Sequence, residues 1–117
     1  MPDAVAPSSR DELNAELKRT AFQKKAVSKL PPEEVLDLAI EFFKAHGYRS
    51  ARTGRPNQAF VMGGREGILP RVTGEIIARE DVGKAGNTLI TLDAAGEKLG
   101  QTMSEFYQEL RRRRKST

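Results

Sequence analysis

Residues 31–47 read Pro-Pro-Glu-Glu-Val-Leu-Asp-Leu-Ala-Ile-Glu-Phe-Phe-Lys-Ala-His-Gly, and this stretch decides the fold. Proline fits the first helical turn, and acidic side chains favour the positive end of the helix dipole. Val35, Leu38, Ala39, Phe42 and Phe43 then recur at helical spacing, and Gly47 suits the left-handed position beyond a helix end. The pattern predicts a helix over Pro32–His46, with Tyr48 packed on Phe43 around its stop. Glu33, Glu34, Asp37 and Glu41 fall on the opposite side, where a solvated face explains them better than a cation site.

Beyond Gly47 the pattern shortens and is punctuated by turn residues. Tyr48–Thr53 reads as a strand, Gly54-Arg55-Pro56-Asn57 as a turn, and Gln58–Met62 as a second strand ended by Gly63-Gly64. Ile68–Arg79 reads as extended, with Pro70 arguing for an edge or a bulge near its start. Asp81–Gly86 is the next connection. In Asn87–Asp93 both alternating faces carry apolar weight, the mark of a central strand. These segments predict a four-strand antiparallel meander. Leu99, Met103, Phe106, Tyr107 and Leu110 then form one apolar stripe, which predicts a closing helix from about Glu97 to about Arg113.

Upstream the signals are thinner. Residues 1–8 read as a flexible arm, and Ser9-Arg10-Asp11-Glu12 fits a capping box for a short helix to about Phe22 carrying Leu13, Leu17 and Ala21. Lys25–Leu30 is compatible with a short strand. The expected organisation is an arm and helix over 1–24, one α+β domain over 25–113, and a basic tail end over 114–117. Its element order is (β)-α-β-β-β-β-α: an antiparallel sheet of four to five strands packed by helices, with an N-terminal helical extension.

That order resembles the repeat of TATA-box-binding-like folds and a shortened helix-grip fold of START and polyketide-cyclase-like proteins. In the latter a first strand runs into a proline-acidic helix start, and Lys29-Leu30-Pro31-Pro32-Glu33-Glu34-Val35 is similar. The resemblance spans about Lys25–Arg113 and implies a fold. No phosphate-contacting motif of the TATA-binding group is matched, so it implies no site residue.

Composition narrows the function classes. A chain of 117 residues with 38% hydrophobic and 31% charged residues suits one globular domain. The absence of cysteine removes disulfides and thiolate chemistry. No run approaches the roughly 18 apolar residues of a membrane span, and the N-terminus lacks a signal-peptide pattern; the expected location is the cytoplasm. The net charge of +4 comes from one place. Arg111, Arg112, Arg113, Arg114 and Lys115 contribute more than the whole excess, leaving residues 1–110 at −1.

Chemistry-bearing motifs are sparse. His46 stands alone at a helix end, where the dipole accounts for it, and no metal site is expected. Gly63-Gly64-Arg65-Glu66-Gly67 and Gly83-Lys84-Ala85-Gly86 fail the phosphate-loop patterns: Ala78 stands where the second would need glycine, and Ala85 where it would need Ser or Thr. Both read as hairpin loops. Ser28, Ser50 and Ser104 have no evident base. The reading is therefore a non-enzyme without cofactor, a binding or accessory module engaging a protein partner. Two alternatives stand beside it. One is nucleic-acid binding through Arg111–Lys115, aided by Lys24, Lys25 and Lys29. The other is an apolar-ligand face of Phe42, Phe60, Met103 and Phe106 between sheet and final helix.

Overall fold

The computed structural model describes the backbone of residues 5–116 and the side chains of residues 10–113. The order is α1 (Val5–Arg19), β1 (Phe22–Ser28), α2 (Pro32–Ala45), β2 (Arg49–Arg52), β3 (Gln58–Gly63), β4 (Val72–Glu80), β5 (Thr88–Ala94) and α3 (Glu97–Ser116). The strands form one antiparallel sheet ordered β1-β5-β4-β3-β2: the expected meander, with β1 added alongside β5. This is an α+β fold. No described helix is long and apolar enough to cross a membrane.

Alternation along the strands divides the sheet into two faces. Ala59, Val61, Val72, Ile76, Ala78, Ile90 and Leu92 point to one side and are enclosed. α2 packs over β2, β3 and β4, while α3 lies over β1, β5 and β4, so both helices share that side. They meet through Phe106, whose ring lies 5.2 Å from Phe42 and 5.6 Å from Phe43. Leu36, Phe43, Leu99, Met103 and Phe106 are wholly buried. The buried stripe of α2 is rotated from the expected one: Leu36 faces the core and Leu38 lies at the flank, because the helix packs on sheet and α3 together.

Local chemistry explains the ends. At the stop of α2, Gly47 has φ of +88°, its N–H donates to Lys44 O, and the Tyr48 N–H donates to Phe43 O. This is the expected glycine stop, with Tyr48 edge-on to Phe43. At the start of α3, Gly96 has φ of +110°, and a Cβ there would lie 2.4 Å from Val72 Cγ1. Only glycine fits. The Gly96 N–H donates to Thr20 Oγ1, and the Glu66 carboxylate accepts from the Lys98 and Leu99 N–H groups at 2.8 and 3.1 Å. A residue 31 positions upstream thus caps the closing helix.

Three expectations are corrected. The N-terminal helix starts at Val5, so Ser9 falls within it instead of before it; the Ser9 side chain and residues 1–4 of the expected arm lie outside the described residues. Its end comes at Arg19, and Phe22 begins β1 instead, paired with Ala94; the Thr20 bonds to Glu16 O and Gly96 N–H break the helix there. The first strand ends at Ser28, whose Oγ accepts from the Leu30 N–H and turns the chain towards α2. The extended run begins at Val72, because Glu66 and Leu69 exchange both backbone hydrogen bonds across a tight turn at Gly67.

Candidate interaction surfaces

The four aromatic and sulfur side chains expected to line one ligand face do not come together. Phe42, Met103 and Phe106 lie on the helix side, where Met103 and Phe106 are fully enclosed and fill the space between sheet and helix. Phe60 points to the other side, paired across the strands with Glu75 and Ala51. One register position separates it from Ala59 and Val61, and alternation sends it away from the core.

The C-terminal run is divided in use. Arg112 and Arg113 both pair with Glu109, Arg113 Nε at 2.9 Å, as the helical spacing predicts. The Arg111 guanidinium and Lys24 Nζ lie 5.8 and 5.7 Å from the centre of the Tyr107 ring. The side chains of Arg114 and Lys115 lie outside the described residues. Lys24 and Lys25, expected to act together, are separated: β1 turns Lys24 towards α3 and Lys25 to the uncovered face. Lys29 is exposed in the bend after β1.

Other singled-out groups take structural positions. His46 Nδ1 lies 2.8 Å from Phe42 O, its ring stacks on Phe42 at 4.3 Å, and Nε2 is 3.6 Å from Glu105. Among the described residues no cluster of three metal-ligating side chains occurs. Glu33 and Asp37 are more than a solvated face: Arg52 on β2 donates to both, at 2.8 and 2.9 Å, and to Glu33 O. Those hydrogen bonds, Glu33 first, hold the Arg52 guanidinium above its ordinary pKa. In the same way the Arg19 hydrogen bond holds the Glu16 carboxyl below the usual range. Both glycine-rich segments lie between strands, as expected of hairpin loops.

The surface that sequence reasoning missed is the uncovered face of the sheet. It carries Val27, Leu89, Ile77, Phe60 and Met62, each half-buried by its neighbours. Register makes them continuous. Val27 pairs with Leu89; Leu89 pairs with Arg79, two residues from Ile77; Ile77 pairs with Gln58, two residues from Phe60. The result is a diagonal apolar stripe across four strands. The signal was present in β3 and β5, where both alternating positions are apolar, but only the register shows that these positions adjoin.

Charges flank the stripe. Glu75 and Asp93 lie directly opposite one another on β4 and β5, an unfavourable like-charge pair, and no cation among the described residues pairs with either. Gln58 Nε2 donates to Glu75. Lys25 and Arg79, at the other end, likewise have no carboxylate partner among the described residues. A depression of about 860 Å³ at that end is lined by Lys25, Val27, Arg79, Leu89 and Thr91 of the uncovered face together with Ala26, Ile90, Tyr107 and Arg111 of the helix-covered side, and by no carboxylate.

No protein-family model matches the chain. No curated protein matches it. Among solved structures it is similar to the crystal structure of DR_A0006 from Deinococcus radiodurans, with 11% identity and a TM-score of 0.46 over 84% of this chain and 100% of that one.

Proposed function

We propose that this protein is a non-catalytic binding module that engages a protein partner through the uncovered face of its sheet. One observation carries the reading: both packed helices occupy one side, and the other presents a continuous apolar diagonal flanked by charges that make no ion pair among the described residues. Apolar contact area rimmed by charge is the anatomy of a protein interface. Hydroxyl placement supports a role without chemistry. Ser50 Oγ donates to Phe60 O, Thr88 Oγ1 donates to Leu30 O, and Ser28 Oγ accepts from Leu30 N–H, so each hydroxyl is engaged by backbone. The element order is compatible with either the TATA-box-binding-like repeat or a shortened helix-grip architecture, with the sheet's helix-covered side filled by side chains.

A photo-crosslinking side chain placed at Phe60 tests this directly in cells. It should give a discrete protein adduct, and the same group at Val82, fully exposed in the β4–β5 loop, should not. Equal labelling from both positions, or none from either, overturns the reading.

Polyanion binding at the end of α3 is the second reading, supported by Lys24 and Arg111 on either side of Tyr107 and by the carboxylate-free depression. Deleting residues 111–117 should then abolish binding to duplex DNA at low salt. Binding through all five basic residues would show a log–log salt slope near about −4.5, and Glu109 would have to release Arg112 and Arg113. Binding retained by the deleted protein rejects that site.

A further inference from the structure

We infer that the occupant of the uncovered sheet face is a second copy of this chain, related by a two-fold axis passing over Ile77. The inference rests on the proposed docking role of that face and names its partner.

The uncovered face is self-complementary. On a pleated lattice with strands about 4.8 Å apart and same-face residues about 6.8 Å apart, Leu89, Ile77 and Phe60 are collinear at equal steps of about 8.3 Å. An axis lying in the interface, through Ile77 and perpendicular to that line, brings Ile77 onto the partner's Ile77. It also brings Leu89 onto the partner's Phe60. Val27 and Met62, one step further out at either end, fall within about 3 Å of one another in projection on the same lattice. The whole apolar stripe therefore maps onto itself, as an isologous interface requires.

The charges follow the same operation. Lys25 lands between the partner's Glu75 and Asp93, within about 4 Å of each in projection. That supplies a cation to two opposed carboxylates that have none among the described residues of their own chain, and a carboxylate to a lysine that likewise has none among them. Across the axis the bulkier Phe60 and Met62 of one copy meet the smaller Leu89 and Val27 of the other. The axis crosses the strands of the two sheets at about 70°, near the orthogonal class of sheet packing. A face four strand spacings wide and about 23 Å long offers on the order of 450 Å² of plane area before side-chain relief is counted. The standard interface takes about 800 Å² of accessible surface from each partner, so the pairing should be reversible with dilution.

Sedimentation of the full chain from about 1 to about 500 μM should show a monomer–dimer equilibrium. Ile77→Glu should weaken it at least about 100-fold, since it buries opposed carboxylates on the axis. The decisive experiment uses two variants, Lys25→Glu and the double change Glu75→Lys with Asp93→Lys. Each alone should be monomeric, and an equimolar mixture should form a heterodimer, because every charge contact is then restored. Heterodimer formation also shows that both variants are folded. A wild-type chain that stays monomeric throughout overturns the inference, as does a dimer indifferent to Ile77→Glu or a mixture that does not associate. If the chain is monomeric while the crosslinker at Phe60 still captures a different protein, the second copy is rejected and the docking role stands; a monomer without any adduct rejects both.

Discussion

Ile76 and Ile77 are neighbours in one strand, chemically identical, and lie on opposite faces of the sheet. Ile76 is fully enclosed beneath the helices, paired with Ala59 and Leu92. Ile77 stands on the other face among Thr91, Gln58, Leu89 and Phe60. The side facing the helices forms the core, and the other is left uncovered by α2 and α3. Hydrophobicity alone does not separate the enclosed face from the uncovered one. The pleat does, once the side covered by the helices is known.

Substitution of the two isoleucines separates the two faces most strongly. Ile76→Ala should cost about 2–5 kcal/mol through lost burial and the cavity left behind. Ile77→Ala, measured by denaturation at a concentration where the chain is monomeric, should cost under about 1 kcal/mol. Equal losses would mean that both faces are core. Gly96→Ala comes next, at about 2 kcal/mol, since it forces a left-handed conformation and drives a methyl into Val72 at the edge of the covered face. A smaller loss there would show that α3 can shift on the sheet.

Glu66→Ala should lower stability by about 1–2 kcal/mol, because it strips the cap from two N–H groups at the start of α3. Circular dichroism would show fraying of the helix start alongside the lowered melting temperature. Arg52→Ala should have the smallest effect, below about 1 kcal/mol and fading as salt is added. Its ion pairs to Glu33 and Asp37 are solvent-exposed, although they join the edge strand to α2. A salt-independent loss would indicate that the stem of Arg52 packs as part of the covered face.

Legibility of these features followed the range of the interactions that create them. The helix after Pro31, its stop at Gly47 and the stripe of α3 were readable, since each depends on residues within a few turns. The first strand starts three residues earlier than expected because Thr20 is held by Gly96, 76 positions away. Glu66 looked like part of a glycine-rich loop, and its capping role depends on a helix that starts 31 residues later. Phe60 joined the wrong group because an aromatic in a strand reads as core until its face is known.

Composition, periodicity and turn residues by themselves determined the α+β class, the element order, the two main helices and the location of the positive charge. Those properties reside in local backbone preference and in the spacing of apolar side chains. Only the tertiary structure decided which face of the sheet is covered, that Lys24 and Lys25 part company, and that Val27, Leu89, Ile77, Phe60 and Met62 form one stripe. Strand register brings together residues from four separate segments, and pairing across such distances is set by the packing of the whole domain.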